Sequence, residues 1–268
     1  MATPCCPTDV KPVVNNYKGT GTYETFNDLK VYVAGADKAN PNKWAIINIY
    51  DIFGSSPHTE QFADRLSDSL DCLVCVPDLI VNAWPPENVP PTKDGAFPPG
   101  VEPAEGVEVL YNWIMTHNDC RVDRADDLKA LKEALVSKYG IAKIGAVGMC
   151  WGAKVAFTAA IKNKDWADAV AACHGSFLDK ADAETLEIPM CLLNSKDEPP
   201  TYESEIKPVL ESKSFKDKNV FKNFPNMHHG WMGTRGAGAD TDFAKKELVD
   251  GFQEGINDLT AFFAKALA

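Results

Sequence analysis

The sequence predicts an α/β protein in which a mostly parallel central sheet is flanked by helices. Short apolar runs alternate with segments of helical periodicity along most of the chain, a pattern typical of successive βαβ units. The chain has 268 residues, 45% of them hydrophobic, which is enough to bury a sizeable core. Because no internal repeat or low-complexity linker divides this pattern, we expect a single domain spanning residues 1–268.

The individual elements follow from local patterns. The run WAIINIY at 44–50 is apolar throughout, which indicates a buried strand. Ser56 is a suitable N-cap and Pro57 suits the first turn of a helix, after which Phe62, Leu66 and Leu70 recur every four residues. The other strands are expected at 30–34, 72–76, 142–147, 168–173, 188–193 and 219–224, and the helices at 57–70, 104–117, 125–139, 151–163, 202–212 and 241–266.

Two segments fall outside this alternation. An N-terminal tail of about residues 1–25 contains Cys5 and Cys6, for which the sequence indicates no role. The second segment, residues 80–103, contains seven of the 18 prolines as well as Trp84, so it is expected to be a long loop rather than a helix or central strand. Such a loop could be a lid, a binding loop or a rigid surface connector.

Composition excludes several classes of protein. The formal net charge is −11, so the basic surface of a nucleic-acid or anionic-membrane binder is not expected. No apolar run approaches the length of a membrane span, and the first residues lack the pattern of a signal peptide. We therefore expect a cytoplasmic protein, in which most of the eight cysteines are buried free thiols rather than disulfides or zinc ligands.

One cysteine lies in a motif that indicates chemistry. The sequence Gly148-Met149-Cys150-Trp151-Gly152 stands between a predicted strand and a predicted helix, which is the context of the Gly-x-nucleophile-x-Gly elbow of the α/β-hydrolase fold. The turn exposes the thiol above the sheet, and the following helix N-terminus favours the thiolate. We therefore expect Cys150 to be the nucleophile.

The order of the remaining polar residues agrees with this fold, in which the acid and then the histidine follow the nucleophile. Asp197 and Glu198 come directly after the strand predicted at 188–193, and His228 and His229 follow the strand predicted at 219–224. An imidazole would take the thiol proton and a carboxylate would orient the imidazole. His174 precedes the acid and is expected only to line the pocket.

These residues resemble the dienelactone hydrolase family, and especially its eukaryotic members. The resemblance covers about residues 27–266 and rests on the motifs Asp-Ile-Phe-Gly at 51–54, Val-Pro-Asp-Leu at 76–79, Gly-Met-Cys-Trp-Gly-Ala-Lys at 148–154 and His-His-Gly-Trp at 228–231. It implies a triad of Cys150, His229 and Asp197, an oxyanion hole formed by the N–H groups of Ile52 and Trp151, and no metal or organic cofactor.

Two departures from the bacterial members concern the substrate. Asp51 stands where those enzymes have a glutamate that pairs with the resting thiol, and the arginine that they carry soon after Pro-Asp-Leu is absent. Arg235 could bind a substrate carboxylate in its place, or form an ordinary surface ion pair. With His174 and Trp84, these residues are the expected contacts of the substrate.

The sequence thus predicts a cysteine-dependent hydrolase that cleaves a lactone or small carboxylic ester through an acyl-thioester. Two other functions remain open: a glucan hydrolase, and a binding or regulatory protein that keeps the hydrolase shell without efficient catalysis. The expected partner is the small-molecule substrate, with no nucleic acid and no membrane. Both a monomer and a homodimer remain possible.

Overall fold

A central eight-stranded sheet dominates the part of the chain that the computed structural model describes, residues 17–40, 43–80, 121–236 and 246–268. Its spatial order is β1-β2-β4-β3-β5-β6-β7-β8. The strands from β3 to β8 run parallel, whereas β2 is antiparallel to both β1 and β4. The strands are β1 (Thr22–Phe26), β2 (Leu29–Ala34), β3 (Trp44–Ile49), β4 (Leu73–Pro77), β5 (Lys143–Met149), β6 (Ala169–Cys173), β7 (Met190–Asn194) and β8 (Val220–Asn223).

Helices cover both faces of this sheet. They are α1 (Pro57–Leu70), α2 (Ala125–Tyr139), α3 (Trp151–Lys162), α4 (Lys180–Thr185), α5 (Lys207–Ser212) and α6 (Lys246–Ala266). Gly145 and Gly148 lie three residues apart on β5 and so face opposite sides of the sheet. A Cβ on Gly145 would meet Phe263 of α6, and one on Gly148 would meet the start of α3. The α/β prediction is therefore confirmed.

Several predicted boundaries agree closely with the structure. Helices α1 and α2 occupy the predicted ranges, and Pro57 begins α1 after the N-cap Ser56. The Ser56 backbone N–H donates to Thr59 Oγ1 at 2.9 Å, which closes the first turn of the helix. The helix predicted at 202–212 consists of a π-helical turn, Tyr202–Ile206, followed by α5. None of the described helices is long and apolar enough to cross a membrane.

Strand β1 and helix α4 were not predicted, and several predicted segments lie outside the described residues. Strand β1 lies partly inside the segment expected to be a tail; it is a largely exposed edge strand joined to β2 by Asn27 and Asp28, which both have positive φ. Such a two-residue connection is typical of a β-hairpin. Helix α4 has only six residues. The predicted loop 80–103, the helix at 104–117 and residues 241–245 lie wholly or almost wholly outside the described ranges.

The elbow depends on close backbone approach. A Cβ on Gly152, in the first turn of α3, would overlap the carbonyl oxygens of Ile49 and Tyr50 at the end of β3. A Cβ on Gly148 would overlap the backbone of Gly152 and Ala153. Only glycine lets α3 begin against β5 and β3 at once, so these two positions place the turn between them at the carboxyl ends of the parallel strands.

Replacing Gly152 with alanine is expected to lower the free energy of unfolding by about 1–3 kcal/mol, as overpacking does. At an ordinary helix position the same change stabilises the protein by up to about 1 kcal/mol. A loss of stability in Gly152→Ala would therefore indicate the backbone overlap. The measurement is urea unfolding followed by circular dichroism.

Gly145→Ala is the matched control for this prediction. Its new Cβ would lie 2.6 Å from Ile46 Cδ1 and 2.8 Å from the Phe263 ring. These are side-chain atoms, which can move more easily than backbone, so the loss of stability should be smaller than in Gly152→Ala. Equal losses, or a more stable Gly152→Ala variant, would contradict the importance of the backbone contact.

Candidate active site

Cys150 lies at the sharp turn between β5 and α3. Its backbone has φ 52° and ψ −118°, a conformation that is strained for any residue with a Cβ. Its N–H donates to the Cys173 carbonyl at 3.2 Å, and its own carbonyl accepts from the N–H groups of Ala153 at 3.1 Å and Ser176 at 2.9 Å. The elbow is therefore held both by its own helix and by the loop after β6.

His229 lies in the loop after β8, with only 3% of its side chain exposed. Its Nδ1 lies 2.7 Å from Oε1 of Glu198, a side chain that is equally buried. A carboxylate on Nδ1 fixes the tautomer and ring orientation and leaves Nε2 as the nitrogen that can accept a proton. The histidine and the acidic group expected after β7 are therefore brought together.

The carboxylate on the imidazole is Glu198, and this corrects the prediction of Asp197. Asp197 Oδ2 instead accepts the backbone N–H of His229 at 2.8 Å. Glu198 is in turn fixed by Ser195, whose N–H donates to Oε2 and whose Oγ donates to Oε1 at 3.0 Å. The two neighbouring acids thus hold the same histidine, one through its backbone and one through its ring. Chain order could not separate them, because adjacent residues in a turn share the same spacing from the nucleophile.

Ser176 was not predicted, although it lies between the thiol and the imidazole. Its Oγ is 3.3 Å from Cys150 Sγ and 3.5 Å from His229 Nε2. Its side chain is buried, with 2% of the residue exposed. The signal in the sequence was its position after β6, at the same edge of the sheet as the other site residues, but that position does not show which side chains Ser176 contacts.

His174 is completely buried beside His229. The two rings are 5.1 Å apart between centroids, in an edge-to-face arrangement. Among the described residues, neither ring nitrogen of His174 has a hydrogen-bond partner. Burial, together with the positive groups around it, lowers the pKa of His174 well below its ordinary value, so the ring is neutral at pH 7.

His228 is separated from this arrangement. Its Nε2 lies 3.1 Å from the backbone carbonyl of Arg235, and burial lowers the pKa of its imidazole. The His228 ring therefore contacts the loop after β8, whereas His229 Nε2 lies against Ser176 Oγ. The choice of His229 over its neighbour agrees with this geometry.

Asp51 connects two loops of the site. The carboxylate is buried and accepts the N–H of Phe53 at 3.0 Å, the N–H of Thr234 at 2.8 Å and the Thr234 hydroxyl at 3.0 Å. Burial raises the pKa of Asp51, and these donors and nearby Arg235 oppose the rise. Asp51 thus fastens the loop after β3, which carries Ile52, to the loop after His229.

The backbone of this first loop lies close to the elbow. Gly152 packs on the carbonyls of Ile49 and Tyr50, two and three residues before Ile52. Both Ile52 and Trp151 are buried. The structure therefore brings together the two segments that were expected to supply the oxyanion donors.

Arg235 is buried in the site rather than paired at the surface. Only 3% of the residue is exposed, and its guanidinium carbon lies 5.2 Å from the centroid of the Phe53 ring. Within the described ranges, Nε and Nη1 have no hydrogen-bond partner. The ordinary surface ion pair is thereby excluded. Trp84, the remaining residue expected to contact the substrate, lies outside the described residues. The described residues contain no cluster of three or more His, Cys, Asp or Glu side chains suited to a metal ion.

Comparison with known proteins gives a consistent result. An uncharacterized AIM2 family protein of Schizosaccharomyces pombe is 31% identical over 266 residues, which cover 97% of each chain. The carboxymethylenebutenolidase homolog of Homo sapiens is 25% identical over 230 residues, or 85% of each chain. The crystal structure of a dienelactone hydrolase from Anabaena variabilis has the same fold, with a TM-score of 0.57 at 14% identity, over 95% of this chain and 100% of that one.

The family comparison covers most of the residues described above. The model of the dienelactone hydrolase family matches residues 29–254, a range that includes the elbow, both acids after β7 and the histidine loop. The chain belongs to the dienelactone hydrolase family and is a hydrolase of the α/β-hydrolase fold.

Proposed function

We propose that the protein is a cysteine-dependent hydrolase that cleaves a lactone or small carboxylic ester through a Cys150, His229 and Glu198 triad. The observation that carries this proposal is the strained Cys150 at the elbow, linked through one hydroxyl to an imidazole whose other nitrogen is held by a buried carboxylate. This is the arrangement of an activated nucleophile, its base and the group that orients the base.

The proposed reaction has two stages. Transfer of the thiol proton to His229 leaves a thiolate, which attacks the acyl carbon and forms a tetrahedral oxyanion. Collapse of this intermediate breaks the acyl C–O bond, and the imidazolium returns the proton to the leaving alkoxide. Water, deprotonated by His229, then attacks the thioester, so that the acid is released and the thiol is restored.

The oxyanion would be bound by the backbone N–H groups of Ile52 and Trp151. One donor from the residue after the nucleophile and one from an early strand-to-helix loop is the usual arrangement in this fold. Asp51 supports the first donor by holding its loop to Thr234. Backbone donors held in this way need little reorganisation when charge develops on the oxygen.

Arg235 and Phe53 indicate the substrate class. A buried guanidinium stacked near an aromatic ring suits a small unsaturated or cyclic molecule that carries a carboxylate. The human relative is named a carboxymethylenebutenolidase homolog, and a carboxymethylenebutenolide is an unsaturated lactone that carries a carboxylate. We therefore favour anionic lactones, or short esters of dicarboxylic acids, as substrates.

Replacing Cys150 with alanine is expected to reduce hydrolysis of a 4-nitrophenyl ester by about 10⁴-fold or more, because no nucleophile remains. The measurement is kcat/KM by absorbance at constant pH. Cys72→Ala is the matched control: its thiol is also buried, and burial raises the pKa of Cys72 to about 12, so it should be inert and the variant should keep its activity. Undiminished turnover in Cys150→Ala would refute the proposed nucleophile.

The two acids are expected to differ in effect. Glu198→Gln removes the negative charge of the carboxylate that contacts His229 Nδ1. It should lower kcat by about 10²- to 10⁴-fold, the usual scale for loss of base function. Asp197→Asn keeps an acceptor for the His229 N–H and should change kcat by less than about tenfold. The measurement is kcat for both variants, with thermal unfolding as a control for folding. A larger loss in Asp197→Asn would restore the original assignment of the acid.

A further inference from the structure

We infer that the Ser176 hydroxyl carries the proton between the Cys150 thiol and the His229 imidazole. This inference rests on the proposed function, which it deepens by adding a group that touches the reacting sulfur. Ser176 Oγ lies within hydrogen-bond reach of both Cys150 Sγ and His229 Nε2. A hydroxyl can donate one hydrogen bond while accepting another, so a single side chain can link the two groups.

The loop that carries Ser176 is fastened to the elbow at two points and to β7 at a third. The Cys150 N–H donates to Cys173 O, the Ser176 N–H donates to Cys150 O, and the His174 N–H donates to Leu193 O at 2.8 Å. The loop after β6 and the elbow therefore move as one unit. These backbone hydrogen bonds hold the backbones of Ser176 and Cys150 close together, which places Ser176 Oγ within reach of Cys150 Sγ.

The same loop is strained and is supported from outside. His174 has φ 40° and Phe177 has φ 62°, and both values are costly for residues with a Cβ. The Tyr202 hydroxyl donates to Gly175 O at 3.0 Å and accepts the Leu178 N–H at 3.1 Å. Strain of this kind persists only where the surroundings enforce it. Here it turns Ser176 towards the thiol.

The proposed transfer is balanced. The thiol proton moves from Cys150 Sγ to Ser176 Oγ while the proton of the Ser176 hydroxyl moves to His229 Nε2. The products are a thiolate, a neutral serine and an imidazolium paired with Glu198. The reverse movement restores the thiol after the thioester is hydrolysed.

The other titratable groups around this path are already held. Glu198 accepts from Nδ1 on the far side of the ring, and His174 stays neutral because burial lowers its pKa. From the neighbouring loops, Asp51 is saturated by Phe53 and Thr234, and Asp197 holds the His229 backbone. Arg235 lies beside Asp51 and acts on both Asp51 and His174 through its charge. Ser176 Oγ is the group that contacts both Cys150 Sγ and His229 Nε2 in these hydrogen bonds.

The test is the alkylation of Cys150 by iodoacetamide, followed as the rate of modification of the Cys150 peptide by mass spectrometry. This readout needs no substrate. Ser176→Ala should slow alkylation at pH 7 by about tenfold and move the midpoint of its pH profile upward by about one unit, because only thiolate reacts. In a His229→Gln background, Ser176→Ala should cause no further slowing, since two groups on one path are not additive.

Ser67→Ala is the matched control. Ser67 is equally buried and its hydroxyl donates to Cys72 O at 2.8 Å, so this variant also loses an internal hydroxyl bond, but in helix α1. Its alkylation rate should equal that of the wild type.

Two results would overturn the inference. One is a wild-type alkylation profile in Ser176→Ala; the other is an equal slowing by Ser176→Ala with and without His229, which would show a local packing effect. Failure of the proposed function is distinguishable from both. A wild-type protein that hydrolyses no ester, but in which Ser176 and His229 remain coupled in alkylation, would refute the hydrolase reaction and leave the proton path in place.

Discussion

The contact between the start of α3 and the ends of β3 and β5 is the constraint on which the rest of the site depends. Because Gly152 packs on the carbonyls of Ile49 and Tyr50, the chain must turn within one residue, and Cys150 takes the strained φ of 52°. This conformation points its carbonyl at the Ser176 N–H and its N–H at Cys173 O. The backbone contact therefore positions the thiol, the loop after β6 and the loop after β3 together.

A second, separate set of hydrogen bonds holds the acid and the histidine. Asp197 and Glu198 are neighbours in sequence, yet one accepts from the His229 backbone and the other from its ring. This division of roles fixes the position of the loop and the orientation of the imidazole independently. Two carboxylates thus lie next to one histidine, but only Glu198 contacts its ring. For this reason the loss of Glu198 and the loss of Asp197 should have different effects.

The sequence was sufficient where the structure depends on local patterns. Periodicity located α1 and α2, and the elbow motif located Cys150, because each is specified by residues close together in the chain. The sequence was insufficient where contacts between distant segments determine which side chains meet. The acid on the imidazole is set by how the turn after β7 meets the loop after β8, and Ser176 acquires its neighbours only when β5, β6 and β8 are aligned in the sheet. Strand β1 was missed for a related reason, since an exposed edge strand carries little apolar signal.

The charges around the site limit what it can bind and how it releases product. The chain is acidic, with a net charge of −11, and burial lowers the pKa of His174 beside His229 and of His228 in the following loop. Under the proposed function, Arg235 would be the buried cation that binds a substrate carboxylate among the described residues of the site. Hydrolysis of such a substrate creates a second carboxylate at Cys150, near Glu198 behind the imidazole. Like charges in a buried site repel strongly, and one guanidinium offsets one of them, so the chemistry itself favours departure of the dianionic product.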